Sequence, residues 1–226
     1  MVEALILPKP ADLAPFIDHT ILKPETTLET VRRLCREART FGFHSVCVNP
    51  IYAGVVAREL EGSGSLACSV IAFPFGAVPT PDKAAEAHQA VADGAGEIDM
   101  VIAIGRLKDG ARAEVEDDIA AVKKACGHAL LKVIIETCLL TDAEKVLACQ
   151  LAKSAGADFV KTSTGFAGGG ATIADVALMR RTVGAEMGVK ASGGVRTAEQ
   201  ARAMIAAGAT RIGTSSGVTM VSGSPR

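Results

Sequence analysis

The 226-residue sequence has no tryptophan and a single tyrosine, Tyr52. Bases therefore have almost no aromatic surface to stack on, which removes a common mode of nucleic-acid binding. A basic excess is missing too. Lys and Arg number 24 against 25 Asp and Glu, a net charge of -1, so neither nucleic acid nor a membrane surface is an expected partner. No apolar run reaches the ~18 residues of a membrane span. Met1–Pro10 carries Glu3 and two prolines where a secretory leader would carry positive charge and then an apolar run. No leader is expected, and the expected location is cytoplasmic. The six cysteines form no Cys-x-x-Cys pair and the four histidines are scattered, so no zinc site is expected, and in a reducing compartment no disulfide. What is present, 49% apolar and 22% charged residues, is ordinary globular composition.

Apolar and amphipathic stretches alternate throughout. Strands are expected at Phe16–Thr20, His44–Asn49, Leu66–Phe73, Glu97–Ile102, Leu130–Glu136, Asp158–Thr164, Gly188–Gly194 and Arg211–Ser215. Most are short, rich in Val and Ile, and apolar on both faces, as buried parallel strands are. Helical spacing marks Leu28–Arg39, Ile51–Leu60, Asp82–Ala92, Ala111–Ala125, Ala143–Ala155, Ile173–Val183 and Ala198–Ala207, and the last eleven or so residues allow at most a short, weak closing helix. Capping-box spacing occurs at Thr26/Glu29, Thr141/Glu144, Thr172/Asp175 and Thr197/Gln200, and Gly42, Gly94, Gly156, Gly184 and Gly208 mark helix ends. Strand then helix, repeated about eight times without a linker, predicts a single-domain (β/α)8 TIM barrel over residues 1–226. A doubly wound open sheet is the alternative, but no Gly-x-Gly-x-x-Gly follows the first strand.

Four ionisable residues lie inside these apolar strands: Asp99, Lys132, Lys161 and Lys190. Unpaired buried charge is costly. Either they form structural ion pairs, or they converge on a pocket, as inward residues of a barrel do at the C-terminal ends of the strands. Two ammonium groups about 4 Å apart repel by roughly 4 kcal/mol at an effective dielectric near 20. That repulsion, aided by burial, pulls one of them from the alkaline range toward neutrality. A lysine that is a free amine at neutral pH attacks carbonyls to form a Schiff base, and a nearby carboxylate such as Asp99 can carry protons.

Three glycine- and hydroxyl-rich turns follow the last strands: Thr162–Gly165, Ser192–Val195 and Gly213–Gly217. Each offers uncovered backbone N–H groups, and turns after the late strands of such barrels often bind phosphate. Arg196 either adds charge there or faces solvent.

The stretches Lys161–Phe166, Val189–Arg196, Glu97–Val101, Leu131–Thr137, Ile17–Thr20 and Val46–Pro50 together resemble the deoxyribose-phosphate aldolase family, from about Ile17 to Ser216. The resemblance implies a (β/α)8 class I aldolase with neither metal nor cofactor, acting on small phosphosugar and aldehyde substrates. It implies reversible cleavage of 2-deoxy-D-ribose 5-phosphate to D-glyceraldehyde 3-phosphate and acetaldehyde, and a homodimer. By matching motif, Lys161 would be the Schiff-base lysine, Lys190 the second lysine and Asp99 the acid/base group. Gly165, Gly193, Gly194, Ser215 and Ser216 would hold phosphate, and Thr20, Cys47, Lys132 and Thr164 would lie at the substrate. Some relatives end in a tyrosine that assists proton transfer, whereas this sequence ends Val218–Arg226 without one. Three rivals stay open: a phosphosugar isomerase or epimerase, a Schiff-base aldolase with a keto donor, and a non-catalytic phosphosugar binder.

Overall fold

The structure, a computed structural model, describes residues 10–222. The expectations for residues 1–9 and 223–226 lie outside the described residues. Eight parallel strands pair in sequential order and close on themselves, β8 against β1. They are β1 (Ile17–Thr20), β2 (Ser45–Val48), β3 (Leu66–Ile71), β4 (Glu97–Val101), β5 (Leu130–Ile134), β6 (Phe159–Lys161), β7 (Gly188–Ser192) and β8 (Arg211–Thr214). The surrounding helices are α1 (Leu28–Phe41), α2 (Ala53–Leu60), α3 (Thr80–Ala92), α4 (Ile104–Lys108), α5 (Arg112–Ala125), α6 (Asp142–Ser154), α7 (Ile173–Val183), α8 (Ala198–Ala206) and α9 (Gly217–Ser222). The fold is the expected TIM barrel. No helix among the described residues is long and apolar enough to cross a membrane.

Local chemistry sets the helix starts. Thr141 and Thr197 complete reciprocal capping boxes with Glu144 and Gln200, each cap contributing about 1 kcal/mol. Thr172 caps by accepting from the Asp175 N–H. The first helix differs from expectation: its cap is Thr27, which accepts from the Thr30 N–H, rather than Thr26 paired with Glu29. The short α4 was not expected, since five residues are too few to show a period.

Alternation along each strand separates two environments. In β4, Ile98 and Met100 point outward into the apolar layer between strands and helices, which also contains Val133, Val160, Val189 and Ile212. Glu97 and Asp99 point the other way and reach Lys132 in β5. Bulky aliphatic side chains usually fill the interior of such barrels. Here a network of charges occupies much of it.

Candidate active site

The interior network is built from one or two side chains per strand. Lys132 Nζ lies 2.7 Å from Glu97 Oε2 and 2.9 Å from Asp99 Oδ1. Lys190 Nζ lies 2.5 Å from Asp18 Oδ2 and 2.7 Å from Asp99 Oδ2. Lys161 Nζ lies 2.7 Å from that same Asp99 oxygen. Arg211 reaches Asp18 Oδ1 at 2.8 Å and both oxygens of Glu97 at 3.0 Å, with its guanidinium over the Phe159 ring. Four cationic side chains thus face three carboxylates, all buried.

The charges hold one another in place. Burial alone would raise the Asp99 carboxyl, but Lys132, Lys161 and Lys190 together keep it well below the usual carboxylate range. Asp18 is likewise lowered: burial opposes ionisation, and Lys190, Lys132 and Arg211 outweigh it. Glu97 is lowered to about 2, its burial offset by Lys132, the hydrogen bond from His44 and Arg211. Burial pushes the Lys190 ammonium down, yet Asp18 and Asp99 raise it above the ordinary lysine range, so it stays cationic at neutral pH. Lys132 is raised in the same way, chiefly by Asp99 against burial.

Above this network a cavity of about 430 Å³ opens at the C-terminal ends of the strands. Lys161 is the one member of the network that lines it, together with Thr20, Thr164, Gly165, Ser192, Gly193, Gly194 and Ser215. The backbone N–H groups of Gly165, Gly193, Gly194 and Ser215 have no acceptor among the described residues. They are available to an anion. Gly193 has φ +83°, and a Cβ there would stand 2.9 Å from the Gly170 backbone, so only glycine fits this turn. Arg196 also lines the cavity. A larger groove, about 520 Å³, lies at the opposite ends of the strands beside Phe159 and Gly188, and none of the strand lysines lines it.

Some sequence-proposed residues sit elsewhere. Lys132 is fully buried beneath the cavity and bonds to carboxylates rather than lining it. Cys47 is also fully buried, and its thiol is lowered mainly by a hydrogen bond from Cys68. Ser216 lies one residue beyond the lining, with its N–H donating to Thr214 Oγ1 at 3.0 Å. Thr164 hydrogen-bonds Glu136 through both its backbone N–H and its hydroxyl. Cys47, Cys68 and Asp99 bring ligand atoms within 4.8 Å of one another, but Asp99 is already shared by three ammonium groups that would repel a metal cation. Asp18, Glu97, Arg211 and Ser192 do not stand out as site residues in the sequence, although Asp18, Glu97 and Ser192 lie in the motifs quoted above.

The profile of the DeoC/LacD family aldolases matches residues 13–222. The chain belongs to the DeoC/LacD aldolase family. Among its relatives, the deoxyribose-phosphate aldolase of Rhodospirillum rubrum is 64% identical over 211 residues, covering 93% of this chain and 89% of the relative. The deoxyribose-phosphate aldolase of Brevibacillus brevis is 60% identical over 208 residues, covering 92% and 94%. Among solved structures, a putative deoxyribose-phosphate aldolase from Coccidioides immitis superposes with a TM-score of 0.94 at 42% identity, covering 96% of this chain and 87% of that one. The deoxyribose phosphate aldolase of Aeropyrum pernix, described as a tetramer, gives 0.88 at 37% identity, covering 95% and 91%. The lysine-bearing barrel of this DeoC/LacD chain is therefore to be read as an aldolase site.

Proposed function

We propose that the protein is a class I deoxyribose-phosphate aldolase, cleaving 2-deoxy-D-ribose 5-phosphate to D-glyceraldehyde 3-phosphate and acetaldehyde, with Lys161 as the Schiff-base nucleophile. One observation carries the assignment of roles. Lys161 and Lys190 meet at a single oxygen of Asp99, 2.7 Å from each, and of the two only Lys161 lines the cavity. Their nitrogens are no farther apart than twice that distance.

In this reading the unprotonated amine of Lys161 adds to the aldehyde carbon of the open-chain sugar. Loss of water leaves an iminium. A base on the Asp99–Lys190 side takes the proton of the 3-hydroxyl, and the C2–C3 electron pair moves into the iminium, giving an enamine and releasing the phosphorylated aldehyde. Protonation of the enamine carbon and hydrolysis return the amine and acetaldehyde. Asp99 in the resting network is a weak base because three cations face it. When the iminium becomes a neutral enamine, one of those charges disappears and Asp99 gains proton affinity in the step that needs an acceptor. The free N–H groups of Gly165, Gly193, Gly194 and Ser215 hold the phosphate, and that remote binding orients the reacting carbon.

The chain then acts as one catalytic domain. Its six free cysteines fit a cytoplasmic setting, and the tetrameric Aeropyrum relative supports self-association, which sedimentation measures directly. The deciding assay is acetaldehyde release from 2-deoxy-D-ribose 5-phosphate, coupled with borohydride trapping of acetaldehyde. The expected result is turnover and a reduced two-carbon adduct on Lys161. Turnover of a phosphosugar without any adduct favours an isomerase, and an adduct mapped to another lysine overturns the assignment.

A further inference from the structure

We infer that Ser192 is the substrate-binding residue for the 4-hydroxyl of the sugar, the one beside the phosphate-bearing carbon; this rests on the aldolase reading of the cavity. Ser192 ends β7, is 5% exposed and lines the cavity. Both of its backbone groups are used: its N–H donates to Thr162 Oγ1 at 3.1 Å, and its carbonyl accepts from Thr162 Oγ1 at 3.1 Å and from the Ala171 N–H at 3.0 Å. The side-chain Oγ has no partner among the described residues and is itself shielded beside Gly213, so it meets a ligand by turning about its Cα–Cβ bond. Buried hydroxyls are rarely left in that state.

The neighbouring strand leaves room for this hydroxyl. Gly213 in β8 is the register partner of Ser192. A Cβ at Gly213 would stand 2.3 Å from Ser192 Oγ and 3.0 Å from Lys190 Cε, so any larger residue would push one of them out of place. The order along β7 then indicates what the hydroxyl meets. Lys190 and Ser192, two apart, face the same side of the strand, and Gly193 and Gly194 follow with their free N–H groups. Moving up β7, the chain presents the amine level, then Ser192, then the phosphate turn. A substrate joined to Lys161 at C1 and held by phosphate at C5 runs in that direction. Its 3-hydroxyl belongs to Asp99 and Lys190, and the 4-hydroxyl, one carbon nearer the phosphate, falls level with Ser192.

A site that hydrogen-bonds a substrate hydroxyl rejects the analogue without it, because a buried polar group is then left unpaired. The experiment pairs two proteins with two acceptors in the synthetic direction, acetaldehyde being the donor. Glyceraldehyde 3-phosphate carries the hydroxyl that becomes the 4-hydroxyl, and 3-oxopropyl phosphate lacks only that group. The parent protein should prefer glyceraldehyde 3-phosphate by roughly tenfold or more in kcat/KM. In Ser192→Ala the preference should collapse, with addition to 3-oxopropyl phosphate held within about twofold of the parent. An unchanged thermal midpoint and an unchanged Lys161 adduct in the variant show that fold and amine are intact. An active parent whose preference survives Ser192→Ala, or a variant that loses both acceptors equally, overturns the Ser192 assignment alone. A parent that forms no adduct and uses neither acceptor overturns the aldolase reading, and the assignment with it.

Discussion

The Nζ of Lys161 has a single carboxylate contact among the described residues, Oδ2 of Asp99 at 2.7 Å. Lys190 has contacts with two carboxylates, Lys132 with three and Arg211 with two. The network holds one more cation than anion. Of the four, Lys161 loses the fewest ion pairs on giving up a proton, and it alone lines the cavity where an aldehyde can arrive. A carboxylate oxygen shared by Lys161 and Lys190 offsets some of the repulsion between the two lysines.

Removing Lys190 tests that imbalance. Lys190→Met leaves three cations for three carboxylates, so Asp99 is paired more heavily with Lys161. Turnover at pH 7 should fall at least ~10²-fold, the scale of a lost acid/base group, and recover in part as pH rises. A pH–rate profile with the same midpoint as the parent would rule out the electrostatic role.

Asp99→Asn should separate two steps that a simple loss of fold would not. The amide removes the anion paired with Lys161 but leaves the amine in the cavity, so trapping of acetaldehyde by borohydride at neutral pH should persist. Cleavage of the C2–C3 bond needs the proton acceptor, and kcat should drop about 10²- to 10⁴-fold. Equal loss of trapping and cleavage would count against Asp99 as the proton carrier.

Much of this was legible in the sequence, for physical reasons. A charged residue flanked by Val and Ile inside a buried strand violates the apolar pattern, so Asp99, Lys132, Lys161 and Lys190 stood out. Asp18 and Arg211 did not, because polar neighbours, His19 and Thr20 in one case and Thr210 in the other, mask the anomaly. Glu97 stands at the first position of its strand, where charge is unremarkable. All eight strands were anticipated, most with one to three extra residues at their C-terminal ends. The chain beyond Lys161, for example, has left the ladder by Thr162. Lys132 illustrates the limit of spacing: it marks an inward position, but only the register with Asp99 places it below the cavity.

Lys83 was missed because a lysine on an amphipathic helix reads as a solvated one. It is fully buried, with Nζ 2.6 Å from Asp118 Oδ2 in α5 and 3.2 Å from the Val101 carbonyl at the end of β4. Thr80 donates to the other Asp118 oxygen at 2.8 Å. Lys83→Met should cost about 3–5 kcal/mol of stability in urea unfolding by leaving a buried carboxylate unpaired. Replacing both partners, Lys83→Met with Asp118→Leu, should recover most of it, since no charge is then stranded. A double variant no more stable than the single one would mean that the pair itself, rather than the stranded charge, holds α3 to α5.

The carboxylates also set how the barrel responds to acid. Glu97 is lowered from 4.5 to about 2, and Asp18 and Asp99 are lowered from 3.8. A depressed folded-state value means that the unfolded chain binds protons first. The stabilisation is therefore fully present above the unfolded values and is lost as pH falls through the folded ones. The raised Lys132 and Lys190 contribute in the opposite sense, present below 10.5 and lost only in strong alkali. The contribution of these groups should be flat through the neutral range and fall steadily from about pH 4.5 toward pH 2. Glu97 alone accounts for about 3 kcal/mol of that fall, from its shift at roughly 1.4 kcal/mol per pH unit. Glu97→Gln should be less stable at neutral pH, because Lys132 and Arg211 lose a partner, yet its stability should depend on pH less steeply by one proton between pH 4.5 and 2. Equal slopes for the parent and Glu97→Gln in that window would show that Glu97 is not held ionised by the lysine and arginine beside it.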